Sequence, residues 1–206
     1  APTITGPANG STCYVTQKIK ISDNYLVDRV RVSPDDEKSV GRKDTEITLE
    51  GKQDRTYTVT AWDACGNTST YTVIMKPMGD LTREADALQP DSIQKADLET
   101  LNRVEAALKA LDLTDATEDE KITVEEELEY IWALRQVLDG VEAVETRLKA
   151  LPEQARPDAE TLEDTEIRPA RQALDALTAH QKTLVEAALV RKLETLEADL
   201  QQYAVT

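Results

Sequence analysis

The sequence predicts a two-part chain, in which a β-sandwich over residues 1–78 precedes an elongated all-α rod over residues 79–206. Two observations support this division. Residues 1–78 are rich in Thr, Tyr and β-branched residues and carry no net charge, whereas residues 79–206 are dominated by Ala, Leu, Glu and Asp and carry the whole net charge of −16. Apolar residues alternate in the strands of the first part and recur every three or four residues in the second.

Short strands separated by turn residues are predicted in the first part. The two clearest are Tyr57–Trp62 and Thr68–Met75, which alternate with period two and form a hairpin around Asp63–Asn67. At this length and strand spacing, a β-sandwich is the simplest fold. The other predicted strands are Lys18–Ser22, Val27–Val32 and Glu46–Leu49.

Both cysteines of the chain, Cys13 and Cys65, lie in the first part. An even pair in a small β domain is typical of a disulfide formed in an oxidising compartment. Such a bridge would close a loop of about 50 residues and stabilise the domain by about 4 kcal/mol on the chain-entropy model. The alternative interpretation is two unrelated buried thiols.

Residues Thr60 to Val73 read TAWDACGNTSTYTV and resemble the ending of the Ig-like repeats in Gram-positive bacterial surface proteins. Two upstream segments, Ile4–Tyr14 and Ser22–Val32, resemble the opening and the second-strand turn of the same repeats. The resemblance covers nearly all of residues 1–78 and implies an Ig-like β-sandwich that acts as a spacer or scaffold, or binds through its loops. The sequence departs from the repeats at Cys65, where they usually have another small residue. A disulfide there would link the N-terminal segment covalently to the last hairpin.

The second part reads as a series of amphipathic helices with a period of a little over sixty residues, in two repeats of about 79–140 and 141–206. Thr117 and Thr178 each begin a capping box. Between Val124 and Leu151 the only helix breaker is Gly140. We therefore expect two spectrin-like three-helix bundles that share one helix of about 28 residues, about 42 Å long. Pro169 either begins the following helix near Arg168 or kinks it.

Residues Ala170 to Val185 read ARQALDALTAHQKTLV and resemble the core of the FIVAR-type three-helix repeats of Gram-positive cell-wall proteins. The first copy of the repeat has a longer link, Asp112–Thr117, between its helices. This resemblance implies an extracellular location at the cell surface or in the cell wall.

No catalytic residue, metal site or cofactor is predicted. His180 is the only histidine, and its place in a capping box indicates a surface residue. The Glu125–Glu127 run lacks the Glu-x-x-His motif of carboxylate-bridged metal sites. One further acidic set lacks the alternating ligand spacing of a calcium loop: Asp23, Asp28, Asp35, Asp36 and Glu37.

Trp132 is the candidate binding anchor of the helical part. It belongs to the one aromatic cluster there, Tyr130–Trp132, and either Ile131 or Trp132 must face the helical seam. Packing accounts for the cluster if Trp132 is buried. An exposed Trp132 would instead suit recognition of a partner.

These features and resemblances predict a non-catalytic, monomeric segment of a secreted or cell-wall surface protein of a Gram-positive bacterium, acting as a spacer or stalk with an adhesive role. The expected partner is a host extracellular protein or a glycan. The alternatives are an accessory region of a large secreted carbohydrate-active enzyme and a dedicated host-protein or glycan-binding module. The acidic charge disfavours nucleic acid, and no apolar run approaches the length of a membrane span.

Overall fold

The structure, a computed structural model, describes residues 1–35, 37–154 and 163–203. Its contacts divide the chain into two compact units. The first unit combines residues 1–86 with 103–129, and the second combines residues 87–102 with 130–206. The boundary predicted between residues 78 and 79 marks a change in composition. The two units are instead defined by contacts between residues, and the first unit contains residues from both sides of that boundary.

The first unit is built on one six-stranded sheet that curls into a half-barrel. β1, β3, β5, β6 and β2 lie side by side in that order, and β4 pairs with β3. All neighbours are antiparallel except β2 and β6. The strands are β1 (Thr3–Thr5), β2 (Thr12–Cys13), β3 (Gln17–Ser33), β4 (Glu37–Leu49), β5 (Arg55–Asp63) and β6 (Thr68–Met75).

The predicted β-sandwich is wrong, because the expected break after Ser22 does not end a strand. β3 continues to Ser33, with an irregularity in its pairing to β4 between Ser22 and Val27. Within that irregularity, Asp23 Oδ1 accepts the amide of Tyr25 at 2.9 Å. The first half of this 17-residue strand pairs with β1 and β4, and its second half pairs with β4 and β5. One curled sheet therefore replaces two packed sheets.

The core of the first unit lies on one face of this sheet, where inward residues alternate along the strands as period-two patterning requires. Tyr57 and Tyr71 pack against its margin, half-buried. The buried members are Ile19, Ile21, Val27, Val30, Leu49, Val59, Ala61, Val73 and Met75.

The helices begin directly after the sheet. A 3₁₀ turn at Lys95–Asp97 precedes the second helix, and a π-helical turn at Glu163–Ile167 precedes the fourth. The helices are α1 (Met78–Asp86), α2 (Leu98–Lys109), α3 (Glu118–Ala150), α4 (Arg168–Ala176), α5 (Ala179–Leu184) and α6 (Ala187–Tyr203).

Several local helix predictions are confirmed. α3 is one continuous helix of 33 residues, with Gly140 inside it. α4 begins at Arg168 with Pro169 in its first turn, where a missing amide hydrogen is harmless. Thr178 caps α5 in a complete capping box, and Thr117 accepts the amide of Glu120 at 3.2 Å at the start of α3.

The predicted all-α rod of two bundles is wrong. Only residues 130–150 of α3 belong to the same unit as α4, α5 and α6, whereas residues 118–129 belong to the unit that contains the sheet. Polar contacts that the start of α3 and the link before it make with the start of β3 and the residue before it agree with this assignment. Glu120 Oε1 accepts both the amide and the hydroxyl of Thr16 at 2.9 Å, and Asp115 Oδ2 accepts the amide of Lys18 at 3.2 Å. Helical periodicity carries no information about these contacts.

The second unit has an all-helical core. Its apolar residues come from α3, the π-helical turn, α4 and α6, with Val185 just ahead of α6. None of the helices in the described ranges combines the length and the apolar character needed to cross a membrane. The buried residues of this core are Val141, Val144, Leu148, Leu151, Ile167, Ala170, Leu174, Val185, Leu193, Leu196 and Leu200.

Candidate functional site

An open groove of about 510 Å³ lies on the part of the sheet formed by β3, β4 and β5. Its volume falls within the range typical of ligand-binding clefts. Polar residues make up half of its lining: Asp35, Lys38, Thr45, Glu46, Thr48 and Glu50. The apolar residues that line it are Val30, Val32, Val40, Ile47, Leu49 and Tyr57.

The groove follows one edge of β4. Six consecutive residues, Thr45–Glu50, line it. Because successive side chains of a strand point to opposite faces, a groove meets every residue of a run only along the edge, where the backbone is accessible. Among the strands that the structure describes, β4 pairs with β3 alone. The peptide groups on its other side therefore have no neighbouring strand, and an edge of this kind can accept one.

β4 bends around the groove at Gly41. This glycine has a φ of +60°, in the left-handed region that favours glycine. Pairing with β3 links Arg42 to Val27 and resumes regularly from Asp44 onward. Val40 before the bend and Thr45 after it both line the groove, so the two halves of β4 contribute to one site.

Charge is distributed unevenly along β4. Charged side chains on an edge strand oppose pairing with another chain. In the second half, Thr45–Leu49, Glu46 is the only charged residue. That half is therefore the least protected stretch of the edge. The first half carries Glu37, Lys38, Arg42, Lys43 and Asp44.

The rim of the groove is more acidic than basic. Lys38 is the one basic residue that lines it, against Asp35, Glu46 and Glu50. Glu46 contacts Lys18 at 3.2 Å and Glu50 contacts Lys52 at 2.8 Å, in pairs whose members are all largely exposed. Exposed pairs contribute little free energy, so a basic ligand can replace these partners. The rim therefore favours a ligand with positive charge.

The predicted disulfide is not formed, and both Cys13 and Cys65 are free. β2 pairs with the end of β6, where Cys13 lies opposite Met75, whereas Cys65 lies in the turn before β6 begins at Thr68. At about 3.3 Å per residue, the length of β6 separates the two cysteines by about 23 Å, far beyond the reach of a disulfide. Burial raises the pKa of the half-buried Cys13 thiol.

Trp132, the candidate anchor, is 62% exposed, whereas its neighbour Ile131 is fully buried. Packing therefore does not account for Trp132, and its role as an anchor stays a prediction. His180 is half-buried rather than on the surface, and its Nε2 donates to the carbonyl of Ile93 at 2.7 Å. This hydrogen bond occupies one of the two ring nitrogens of His180.

Within the described ranges, no cluster of three or more potential metal ligands occurs. Asp23 instead closes the local turn in β3 through its bonds to Tyr25 and Leu26. Asp36 lies outside the described residues.

Two glutamates on α3 have opposite surroundings; the sequence singled out Glu127 only as part of an acidic run, and it gave no sign of Glu145. Glu127, in the first unit, has its pKa raised to about 7 by burial and by the nearby carboxylates of Asp86 and Glu126. Thr82 Oγ1 donates to Asp86 Oδ2 at 2.7 Å and holds that carboxylate in place. Glu127 is therefore partly protonated near neutral pH.

Glu145, in the second unit, is only 6% exposed and forms an ion pair with Lys95. Its Oε1 accepts from Lys95 Nζ at 2.6 Å and from the amide of Glu186 at 2.8 Å. Burial opposes its ionisation, but these two donors outweigh burial, so the pKa of Glu145 lies below its usual value.

Comparison with protein families, with curated proteins and with solved structures finds no significant match to this chain.

Proposed function

We propose that this chain is a non-catalytic binding segment of an exported Gram-positive surface protein, and that the groove along β4 is its ligand site. The observation that carries the proposal is a groove of about 510 Å³, lined by both apolar and polar residues, beside a strand edge with no described neighbour. The predicted stalk role drew on the rod, which is wrong, and on the resemblances, whereas the groove favours binding over spacing. The resemblances to cell-surface repeats support the location.

The partner that suits this groove is a host extracellular protein. The groove is open and adjoins an unpaired strand edge, whose peptide groups can form the ladder hydrogen bonds of a further strand with a polypeptide. This choice narrows the predicted partner class, which included glycans.

Two tyrosines provide a matched test. Tyr57 and Tyr71 both pack at the margin of the same core, but only Tyr57 lines the groove. The intact chain is screened against extracellular-matrix proteins, mucins and glycans, and any saturable binding is repeated with Tyr57→Ala and Tyr71→Ala. We expect the two variants to lose similar stability, and only Tyr57→Ala to weaken binding, by about tenfold, which corresponds to about 1.4 kcal/mol.

The same experiment includes Trp132→Ala, which tests the helical alternative. If Trp132→Ala abolishes binding and Tyr57→Ala does not, the site lies on α3 and the proposal is wrong. Equal weakening by Tyr57→Ala and Tyr71→Ala would also contradict it, because the loss would then follow from the core. The absence of detectable binding to every member of the panel would contradict a binding role.

A further inference from the structure

We infer that the ligand of this groove is an extended, basic polypeptide segment that pairs with the backbone of Thr45–Leu49 and extends the half-barrel by one strand. The inference rests on the proposed function, because it names the ligand class of the same groove. It follows from three properties of β4: an unpaired edge, a stretch of suitable length with a single charged residue, and an acidic rim.

The edge supplies the hydrogen bonds. A strand offers its outward peptide groups at every second residue, so Thr45–Glu50 can pair with an added strand along its whole length. Six residues span about 17 Å at about 3.3 Å per step, which fits an extended segment of five or six residues. The first half of β4 contains Gly41 and carries five charged side chains, which oppose pairing, so pairing is confined to the second half.

The groove selects the side chains of that segment. In the added strand, every second side chain points to the face formed by Val30, Ile47 and Tyr57, where burial favours apolar residues. The alternate side chains point away from that face, beside the carboxylates of Glu46 and Glu50. The ligand is therefore apolar at every second position and basic at the positions between.

Charge also distinguishes this ligand from a second copy of the chain. Two copies pairing through β4 would bring Glu46 of one copy near Glu46 of the other, and each copy carries a net charge of −16. The two Glu46 carboxylates would repel each other, and so would the net charges of the two copies. A basic segment of a different protein meets attraction at the same place.

The probe for this inference is a synthetic peptide of about eight residues that alternates Val with Lys and Thr. Two N-methylated forms are prepared, one methylated at the odd positions and one at the even positions. N-methylation removes a hydrogen-bond donor, and in a strand it matters only on the side that faces β4. We expect one form to bind at least about tenfold more weakly and the other to bind like the parent peptide.

A second arm tests the charge preference. Glu46 lines the groove and Asp44 does not, although both are exposed acids on β4. Glu46→Lys should weaken binding of the lysine peptide about tenfold, whereas Asp44→Lys should change it little. A peptide with Glu in place of Lys should bind the wild-type chain more weakly than the parent peptide and should prefer the Glu46→Lys variant.

The outcomes separate the inference from the function on which it rests. If Tyr57→Ala abolishes binding of a panel protein while both N-methylated peptides bind like the parent, the groove is the ligand site and strand addition is wrong. If the chain instead dimerises and Glu46→Lys changes the dimer, a second copy occupies the edge and the inference is overturned. If neither a panel protein nor the peptide binds, both the inference and the proposed function are wrong.

Discussion

The two units of the chain differ in how far their apolar surface and backbone polar groups are covered. In the first unit, a groove with apolar and polar lining residues and one edge of β4 remain accessible. In the second, α4 and α6 contribute with α3 to a buried core, and polar side chains bond to backbone groups within the unit. Gln181 Nε2, for example, donates to the carbonyl of Val137 at 2.9 Å.

This difference indicates where binding and stability reside. A sheet with an open edge has hydrogen-bonding capacity left for a partner, whereas a helical unit has satisfied its backbone internally. We therefore expect substitutions in the second unit to change the free energy of unfolding without changing affinity, and substitutions along the groove to do the reverse.

The largest effect is expected in the helical core. Leu148 is fully buried among the apolar residues of α3, α4 and α6. Leu148→Ala should lower the free energy of unfolding by about 2–5 kcal/mol, through lost burial and the cavity that remains. Chemical denaturation measures the loss. Ligand binding, measured well below the melting temperature, should be unchanged, and a weakened affinity would contradict the separation of roles.

Glu145→Ala should have the next largest effect. It removes a buried carboxylate and leaves Lys95 and the amide of Glu186 without their acceptor, which should lower the free energy of unfolding by about 1–3 kcal/mol. Lys95 is 45% exposed, so Lys95→Ala should have a smaller effect and serves as the control. Equal losses in the two variants would show that the ion pair, and not the amide, holds Glu145.

Two glycines sharpen the comparison further. A methyl group on Gly51 would lie 2.8 Å from the backbone oxygen of Tyr14, which cannot move independently, so Gly51→Ala should lower the free energy of unfolding by about 1–3 kcal/mol. On Gly140 it would lie 3.0 Å from Nε2 of the flexible Gln181 side chain. There the helix propensity of Ala offsets the disturbed hydrogen bond, and Gly140→Ala should change stability by less than about 0.5 kcal/mol.

The Gln181→Ala background checks this account of Gly140. Without the Gln181 amide, Gly140→Ala should stabilise the chain by about 0.5–1 kcal/mol, since only the propensity gain remains. Differential scanning calorimetry on the four proteins measures both effects. A strong loss of stability from Gly140→Ala in either background would mean that α3 cannot accommodate the methyl group.

The smallest effects concern pH. The pKa of Glu127 is about 7 in the folded chain against an ordinary value of 4.5, so its stabilising contribution is complete below about pH 4.5 and is lost as pH rises through about 7. Glu127→Gln should therefore flatten the decline of stability between about pH 5 and 8. Denaturation at a series of pH values tests this, and an unchanged slope would contradict it.

Glu145 should behave in the opposite way. Its pKa is lowered in the folded chain, so its contribution is present above the ordinary carboxyl pKa and is lost as pH falls through its folded value. Glu145→Gln should therefore narrow the stability difference between neutral and acidic solution, while leaving the slope above pH 6 unchanged. Loss of stability above pH 6 that depends on Glu145 would contradict the assigned direction.

Local patterns predicted the elements better than their assembly. Period-two alternation in Tyr57–Trp62 predicted β5, and the absence of breakers other than Gly140 predicted the continuous α3. The segment Asp23–Leu26 reads as a turn because Asp23 does bond to nearby amides, yet those bonds lie within an irregularity of one long strand. A local signal of this kind cannot tell a turn between strands from a bulge within one.

The groove could not be predicted for a related reason. The alternation of Thr45, Ile47 and Leu49 indicated a half-buried strand, and this was correct. Whether the edge of that strand is paired depends on the order of the strands in the sheet, which alternation does not encode. The Cys13–Cys65 disulfide failed in the same way, because the pairing of β2 with the end of β6 sets the distance between the cysteines.

The central claim is that the open edge of β4 receives a strand from the ligand. Amide hydrogen exchange, measured residue by residue with and without a saturating ligand, tests it most directly. We predict that alternate amides within Thr45–Leu49 exchange at least about tenfold more slowly in the complex, while amides of α4 and α6 are unchanged. Protection confined to the surface around Trp132, with no change in β4, would contradict the account.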